Sequence, residues 1–387
     1  MSQVLPPKAE RDAMIVAARR TPIGRRNGSL STVHPHELLA AANAAVLADS
    51  GLAGGDLDMI VCGCVTQVGD QAYNIGRMAA LSAGLPVEVP AMTLDSQCGS
   101  SQQAVNVAAA LVHSGAAEVV LACGVESMSR VPLGSAQLEQ FGSPYSASYL
   151  DRYELVTQGE SAERIADKWQ LTRADCDAWA ERSQRLAAQA TAAGRFSDEI
   201  TPVPVGNSLV TSDEGIREST AESLAALAPA FRPAGRHTAG NSSQISDGAA
   251  AVVVMARARA RTSGAIPIAR IAGEAFVGVD PVLKLTGAIP ATATLLARGI
   301  TPADIGLFEV SEAFASVALA WLAETHADAD RVNVNGGAIA LGHPVGASGA
   351  RMIVTAAHEM RRRDAEAAVI AMCCGGGLGT GTLLVPE

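Results

Sequence analysis

Aromatic side chains are scarce in this chain: Phe, Trp and Tyr together make up 3% of the 387 residues, while apolar residues as a whole reach 48%. A core of that composition must be built from Ala, Val, Leu and Ile, which suits tightly packed α/β layers and argues against an all-β sandwich. Positive charge is not in excess either. The formal net charge of −10 argues against a nucleic-acid partner and leaves only a local basic cluster to meet an anionic cofactor. Long apolar runs are missing. None reaches the ~18 residues that span a bilayer, so no membrane insertion is expected. The opening stretch MSQVLPPKAERD has no apolar segment of signal-peptide type, which points to the cytoplasm. The cysteines number 7, an odd count without a C-x2-C pair, so neither a disulfide framework nor a structural zinc is expected.

What the chain does contain is a faint internal repeat. Gly51-Leu52 followed by Asp56-Leu57-Asp58-Met59-Ile60 matches Gly299-Ile300 followed by Asp304-Ile305-Gly306-Leu307-Phe308, an offset of 248 residues. At the same offset Ser100 to Glu118 matches Ser348 to Glu366, and each copy reads as an alanine-rich helix followed by a strand. The strands, such as Val119-Val120-Leu121 and Ala368-Val369-Ile370, are short apolar runs of the kind buried on both faces. The expected fold is therefore α/β, two duplicated halves with helices on both faces of each sheet. Residues 126–245 have no counterpart in the repeat and are more polar, which marks them as an inserted lid. The expected division is 1–125 for the first half, 126–245 for the lid, 246–265 for a return to the first half, and 266–387 for the second half.

Three residues stand out for their chemistry. Cys98, in DSQCGSS, precedes a helix start, where unpaired N–H groups and the positive dipole end favour a thiolate. His343 lies between Gly342 and Pro344 in NGGAIALGHPVGASG, a sharply shaped loop, and histidine is the usual base for activating a thiol. Cys373 precedes Cys374 and a glycine run whose exposed N–H groups can stabilise an oxyanion. That run, GGGLGTG, lacks the Lys-Ser/Thr end of a phosphate-binding loop. The repeat relates the first two: at the constant offset Cys98 matches Gly346 and Asp95 matches His343, so thiol and imidazole occupy equivalent segments ahead of equivalent helices.

At these motifs the sequence resembles the thiolase family along nearly its whole length. The resemblance rests on Arg20-Thr21-Pro22-Ile23-Gly24, Gln97-Cys98-Gly99-Ser100, Thr238-Ala239-Gly240-Asn241-Ser242-Ser243, Ser311-Glu312-Ala313-Phe314, Asn335 to Pro344, and Cys373-x-Gly375. It implies a layered αβαβα core and an acyl group carried on Cys98. It implies further that His343 activates Cys98 and that Cys373 moves the proton of the acetyl unit. The N–H groups of Cys98 and Gly375 would form one oxyanion hole. A second would use His343 and a water that the family holds with the Asn of an N-E-A-F box, a position filled here by Ser311. Contacts to coenzyme A would come from Arg217, Ser243, Ala313 and Phe314. Coenzyme A is then a substrate, with no permanently bound cofactor and no metal. A homodimer or homotetramer is implied, with Gly69 to Arg77 near the interface.

Two further departures lie near the implied acyl pocket. Gln158, in Thr157-Gln158-Gly159, stands where short-chain members carry Met, and Lys284 stands where methionine is common. Both point to a bulkier or more polar acyl chain, unless Lys284 simply faces solvent. The leading expectation is thiolytic cleavage of a 3-ketoacyl-CoA to acetyl-CoA and a shortened acyl-CoA. The alternatives are an acetyl-CoA acetyltransferase running the condensation, a ketoacyl synthase, an acyl-CoA hydrolase if Ser311 impairs the carbon–carbon step, and a non-catalytic acyl-CoA-binding protein.

Overall fold

The computed structural model describes residues 9–297 and 299–387. Part of the N-terminal stretch read above for a leader, residues 1–8, lies outside them. The strands are β1 (Ala13–Arg20), β2 (Gly24–Arg25), β3 (Met59–Gly63), β4 (Ala91–Leu94), β5 (Val119–Ser127), β6 (Val203–Val205), β7 (Ser208–Val210), β8 (Ser246–Ala256), β9 (Ala269–Gly278), β10 (Leu307–Val310), β11 (Ala368–Cys374) and β12 (Leu378–Val385). Among the described residues, all but β6 and β7 join one sheet, ordered β10-β11-β12-β9-β1-β8-β5-β3-β4 with β2 on β8. β5 and β8 are buried at every position, and apolar and small residues fill both except for Glu126 and Asp247 at one shared end.

The sheet carries the duplication in its pairing. In the first half β3 and β5 are parallel, β5 and β8 antiparallel, and β8 and β1 antiparallel. In the second half β10 and β11 are parallel, β11 and β12 antiparallel, and β12 and β9 antiparallel. The halves meet where β1 pairs with β9 over three residues, Ala13 to Ile15.

The helices complete five layers. Helices Pro35–Ser50 and Ile75–Ser82 pack their apolar faces on one side of the first half, in a core that includes Leu38, Leu39, Ile60 and Val253. Helices Ala288–Leu296 and Ala315–Thr325 cover the second half, around Phe308, Trp321 and Val369. Between the two halves lie helices Ser100–Ser114 and Ser348–Arg363, sharing one core with Val105, Val252, Ile353 and Ile370. These central helices touch almost backbone to backbone. A Cβ on Gly349 would lie 2.4 Å from the Gln102 nitrogen, and one on Gly124 would lie 2.4 Å from the Gly346 carbonyl oxygen, so only glycine fits at either position. Polar side chains also cross between halves: Gln102 Nε2 donates to the Ile370 carbonyl at 3.0 Å and Asn106 Nδ2 to the Gly381 carbonyl at 3.2 Å.

The segment between β5 and β8 holds helices Gln158–Lys168 and Arg173–Ala192 and the β6–β7 hairpin. Buried charge pins it to the layered core. Arg20 on β1 donates to Glu199 at 2.7 Å and in a fork to Asp213 at 2.7 and 2.9 Å. Glu312 accepts from Trp179 Nε1 at 3.1 Å and Ser183 Oγ at 2.7 Å, both on the Arg173–Ala192 helix. Among the described residues no helix is long and apolar enough to cross a membrane.

Candidate active site

The segment ahead of the Ser100–Ser114 helix is a tight turn. The Asp95 carboxylate accepts the Gln97 N–H at 2.6 Å, Ser100 Oγ accepts the Ser96 N–H at 2.9 Å, and Ser100 Oγ donates to the Gln97 carbonyl at 2.6 Å. Gln97 is held at φ +54°, in the left-handed region. This presses Gly99 onto β11, where a Cβ would lie 2.6 Å from Cys374 Sγ. Cys98 is left 4% exposed, with its own N–H and that of Gly375 both directed at its sulfur.

Burial pushes the Cys98 thiol up to about 11, more than those two N–H donors pull it down, and the carboxylates of Glu126 and Asp95 push the same way. The helix-start argument expected a lowered thiol, whereas burial raises it, and one of the two donors, Gly375, comes from the glycine loop and not from the helix start. Desolvation wins, and the resting group is a neutral thiol that needs a base. The neighbouring Cys373, at the end of β11, is pushed up to about 12, first by burial and then by the proximity of Cys98. It is a firmly protonated thiol. Its Sγ lies 3.8 Å from Ser311 Oγ, so the residue in the Asn position of the box contacts the second thiol directly.

His343 is set by its own loop. Gly342 takes φ +106°, and the His343 N–H donates to the Gln244 carbonyl at 3.1 Å and to Ser246 Oγ at 3.2 Å. The ring Nδ1 lies 2.6 Å from Ser348 Oγ, and that hydroxyl donates to the Pro344 carbonyl at 2.9 Å. When the Ser348 hydroxyl donates to Pro344, Nδ1 donates the imidazole hydrogen to Ser348 Oγ, and in that tautomer Nε2 keeps the lone pair. Nε2 is buried and takes no hydrogen bond from the described residues. Burial, helped by the positive charge of Arg351, lowers the ring to about 4. The imidazole is therefore neutral and a proton acceptor through Nε2.

The two pre-helix segments meet because the helices they precede meet. The Ala350 N–H donates to Ser101 Oγ at 2.9 Å. The Glu126 carboxylate, at the end of β5, accepts from the N–H groups of Val65 (2.9 Å), Thr66 (3.1 Å) and Gly346 (3.0 Å), and so ties the loop after β3 to the His343 loop. Sequence reasoning missed Ser348 and Glu126. Ser348 lay in plain view at the end of the histidine motif. Glu126 carries no local signal, because its partner Gly346 is 220 residues away.

The other expected residues divide into two groups. Ser243, Ala313 and Phe314 are contiguous: the Ser243 N–H donates to the Ala313 carbonyl at 3.0 Å, and Ser242 bridges Phe314. Phe314 meets Phe231 and His237 edge-on at 5.6 and 5.3 Å. Arg217 is exposed nearby and donates to the Ala239 carbonyl at 3.1 Å. Gln158 opens its helix, capped by Thr157, and its Nε2 would lie 3.4 Å from a Cβ on Gly375. Lys284 does not face solvent freely. Its Nζ donates to the Val156 carbonyl at 2.6 Å, which ties down the strap leading to Gln158. Among the described residues no group of three or more His, Cys, Asp or Glu side chains is placed to hold a metal ion.

A buried thiol beneath two N–H donors, with a second thiol and a neutral imidazole on adjoining loops, is the equipment of an acyl-transfer enzyme. The family profile "Thiolase, N-terminal domain" matches residues 13–258, and "Thiolase, C-terminal domain" matches residues 265–386. A steroid 3-ketoacyl-CoA thiolase of Mycobacterium tuberculosis is 42% identical over 96% of this chain and 94% of its own length. An acetyl-CoA acetyltransferase of Pseudomonas aeruginosa is 44% identical over 97% of this chain and 100% of its own. The crystal structure of human mitochondrial 3-ketoacyl-CoA thiolase in complex with CoA superposes with a TM-score of 0.90, at 34% identity, over 97% of this chain and 98% of that one. The chain belongs to the thiolase family, and it is an acyltransferase with the thiolase fold.

Proposed function

We propose that the protein cleaves a 3-ketoacyl-CoA with free coenzyme A, giving acetyl-CoA and a shortened acyl-CoA. The observation that carries this reading is the pair of buried thiols, Cys98 under the Gly375 N–H and Cys373 beside it, each kept protonated by burial. Nε2 of His343 takes the Cys98 proton, and the sulfur attacks the 3-keto carbon. The C2–C3 bond then breaks, leaving the acyl group on Cys98 and an acetyl-CoA enolate that takes the Cys373 proton. The N–H groups of Cys98 and Gly375 are suited to the oxygen on the carbon bonded to Cys98. Incoming CoA gives its thiol proton to the Cys373 thiolate and attacks the thioester; Cys98 leaves as a thiolate that takes its proton back from the His343 imidazolium, and the acyl group departs as acyl-CoA.

Coenzyme A is on this reading a substrate, and no resident cofactor is needed. Ser243, Ala313 and Phe314 form the strip suited to its pantetheine arm, with Arg217 at the exposed end toward the nucleotide. Tyr73, Val87 and Met92 are exposed near the open edge strand β4, which supports a homodimer or homotetramer built on that edge. The test is to supply CoA with 3-ketoacyl-CoAs of rising size and follow the loss of substrate. Turnover of acetoacetyl-CoA alone would favour the condensing acetyltransferase, the second reading supported by the Pseudomonas relative. CoA release from acyl-CoA without an acceptor would favour a hydrolase.

Two outcomes follow from the geometry. With the imidazole lowered to about 4, kcat/KM for thiolysis is expected to stay level from pH 8 down to pH 5 and to fall only as pH passes through about 4. A fall centred near 6.5 in a pH–rate profile would mean that the base is an ordinary solvated histidine. Ser311→Ala removes the acceptor of the Cys373 thiol, so the carbon–carbon step should slow about tenfold. Acylation of Cys98 by a simple acyl-CoA should slow less, which single-turnover mass measurements resolve.

A further inference from the structure

Glu126, at the end of β5, is fully buried, and no step of the reaction uses it. Its carboxylate accepts four hydrogen bonds. Oε2 takes the N–H groups of Val65 (2.9 Å) and Gly346 (3.0 Å), and Oε1 takes the Thr66 N–H (3.1 Å) and Gln71 Nε2 (2.7 Å). All four partners are neutral donors, so peptide and amide dipoles balance the charge in place of a cation. The Gln71 amide is fixed as a donor, because its Nε2 also meets the Thr66 carbonyl at 2.8 Å and its Oε1 accepts the Ser127 N–H at 2.7 Å. Burial raises the carboxyl above its ordinary value, and the donors from Val65, Gln71, Thr66 and Gly346 oppose that rise. The fit is close: a Cβ on Gly346 would lie 2.6 Å from Glu126 Oε2.

The two residues bridged by Oε2 belong to different parts of the site. Gly346 lies between His343 and Ser348, whose hydroxyl meets the ring Nδ1. Val65 and Thr66 line the cleft that opens beside Gly375, and Gln97 of the Cys98 turn lines the same cleft. A base must be placed to within a fraction of an ångström, since an error of about 1 Å costs on the order of 100-fold in rate. We propose that Glu126 is a positioning residue for thiolysis: one carboxylate oxygen fixes the His343 loop at Gly346 to the cleft wall at Val65, so that base and substrate wall keep one spacing. The assignment rests on the thiolysis reading above, and Glu126 acts through His343 without touching substrate. Glutamine is no substitute. It offers one oxygen, and its NH2 must face the donors of either Val65 and Gly346 or Thr66 and Gln71. Aspartate keeps the charge but is one methylene too short to reach all four donors.

The test uses the full-length protein and three variants. Glu126→Gln is expected to lower kcat for thiolysis about 30-fold and to leave KM for the 3-ketoacyl-CoA within about threefold of native. Iodoacetamide should meanwhile alkylate its Cys98 about threefold faster at pH 8, because the Glu126 charge is one of the groups that raise this thiol. Glu126→Asp should lose about tenfold in kcat with a native rate of alkylation. Val253→Ala is the control for stability: Val253 is fully buried and pairs with Leu121 midway along the same two strands, away from both loops. At a comparable loss in Tm it should keep kcat within about twofold of native. Three results would overturn the assignment: a Glu126→Gln kcat within about threefold of native, a Val253→Ala loss equal to that of Glu126→Gln, or alkylation that slows in step with thiolysis, which would put the defect in Cys98 itself. If Glu126→Gln does not fold, Glu126→Asp decides by the same criteria. A native protein that is acylated on Cys98 yet cleaves no 3-ketoacyl-CoA would overturn the thiolysis reading, and the rate of Cys98 acylation by acetyl-CoA would then replace kcat in judging Glu126.

Discussion

Cys98→Ala is expected to reduce thiolysis by roughly 10⁴-fold or more, the scale seen when a covalent nucleophile is removed. Incubated with an acyl-CoA, the native chain should gain the mass of one acyl group and the variant none. The argument does not depend on an unusually acidic thiol. Cys98 sits at about 11, so the ground state holds almost no thiolate. On the proposed mechanism three groups act on the same sulfur as it reacts: the two N–H donors of Cys98 and Gly375, and the neutral imidazole of His343, whose other ring nitrogen lies 2.6 Å from Ser348 Oγ. Alanine leaves these groups no sulfur to act on. The result that would sink this assignment is an acylated Cys98→Ala protein, which would move the nucleophile to Cys373 or Cys374. The fold should survive the change, since Cys98 contributes one small side chain to a core shared by both halves.

Much of this arrangement was legible in the chain. The offset between Ser100 and Ser348 coincides with the starts of the two central helices, because small residues and glycines had to recur wherever two helices cross at close range. The same offset placed thiol and imidazole on equivalent loops, and the structure brings the two helix starts together through Ser101 and Ala350. What could not be read were effects of burial and of distant partners. A helix start argues for an acidic cysteine, but how far desolvation opposes it depends on what folds over the site, here β11 and the Gly375 loop. Glu126 fell at the first residue of the expected insertion, and its role in joining the two loops rests on an N–H from the other half of the chain. Lys284 appeared as an anomalous charge near the implied acyl pocket, and the structure adds that its Nζ is tied to the Val156 carbonyl on the strap before Gln158. The serine in the Asn position was visible at once, but only the structure places its hydroxyl 3.8 Å from the second thiol.

Cys373→Ala should separate the two halves of the reaction. Cleavage and condensation of carbon–carbon bonds are expected to fall by roughly 10²–10⁴-fold, the usual worth of a positioned acid or base. Acylation of Cys98 by a simple acyl-CoA should fall far less. The difference follows from the leaving groups. A CoA thiolate leaves readily and needs little help from a proton, whereas an enolate is a strong base that must be protonated as it forms. Cys373 is suited to that task because burial and the neighbouring Cys98 push it up to about 12, so its proton is held until a strong base appears. In reverse, the same thiol must lose its proton before it can take one from acetyl-CoA, so exchange of the acetyl hydrogens with deuterated water should also collapse in the variant. Mass measurement of the acyl-enzyme and NMR of acetyl-CoA exchange read the two steps independently. Equal losses in both would mean that Cys373 supports the shape of the Cys98 site rather than moving a proton. A loss confined to the carbon–carbon step and to exchange would establish the division of labour between the two thiols, and would place Ser311, whose hydroxyl lies 3.8 Å from the second, on the proton-transfer side.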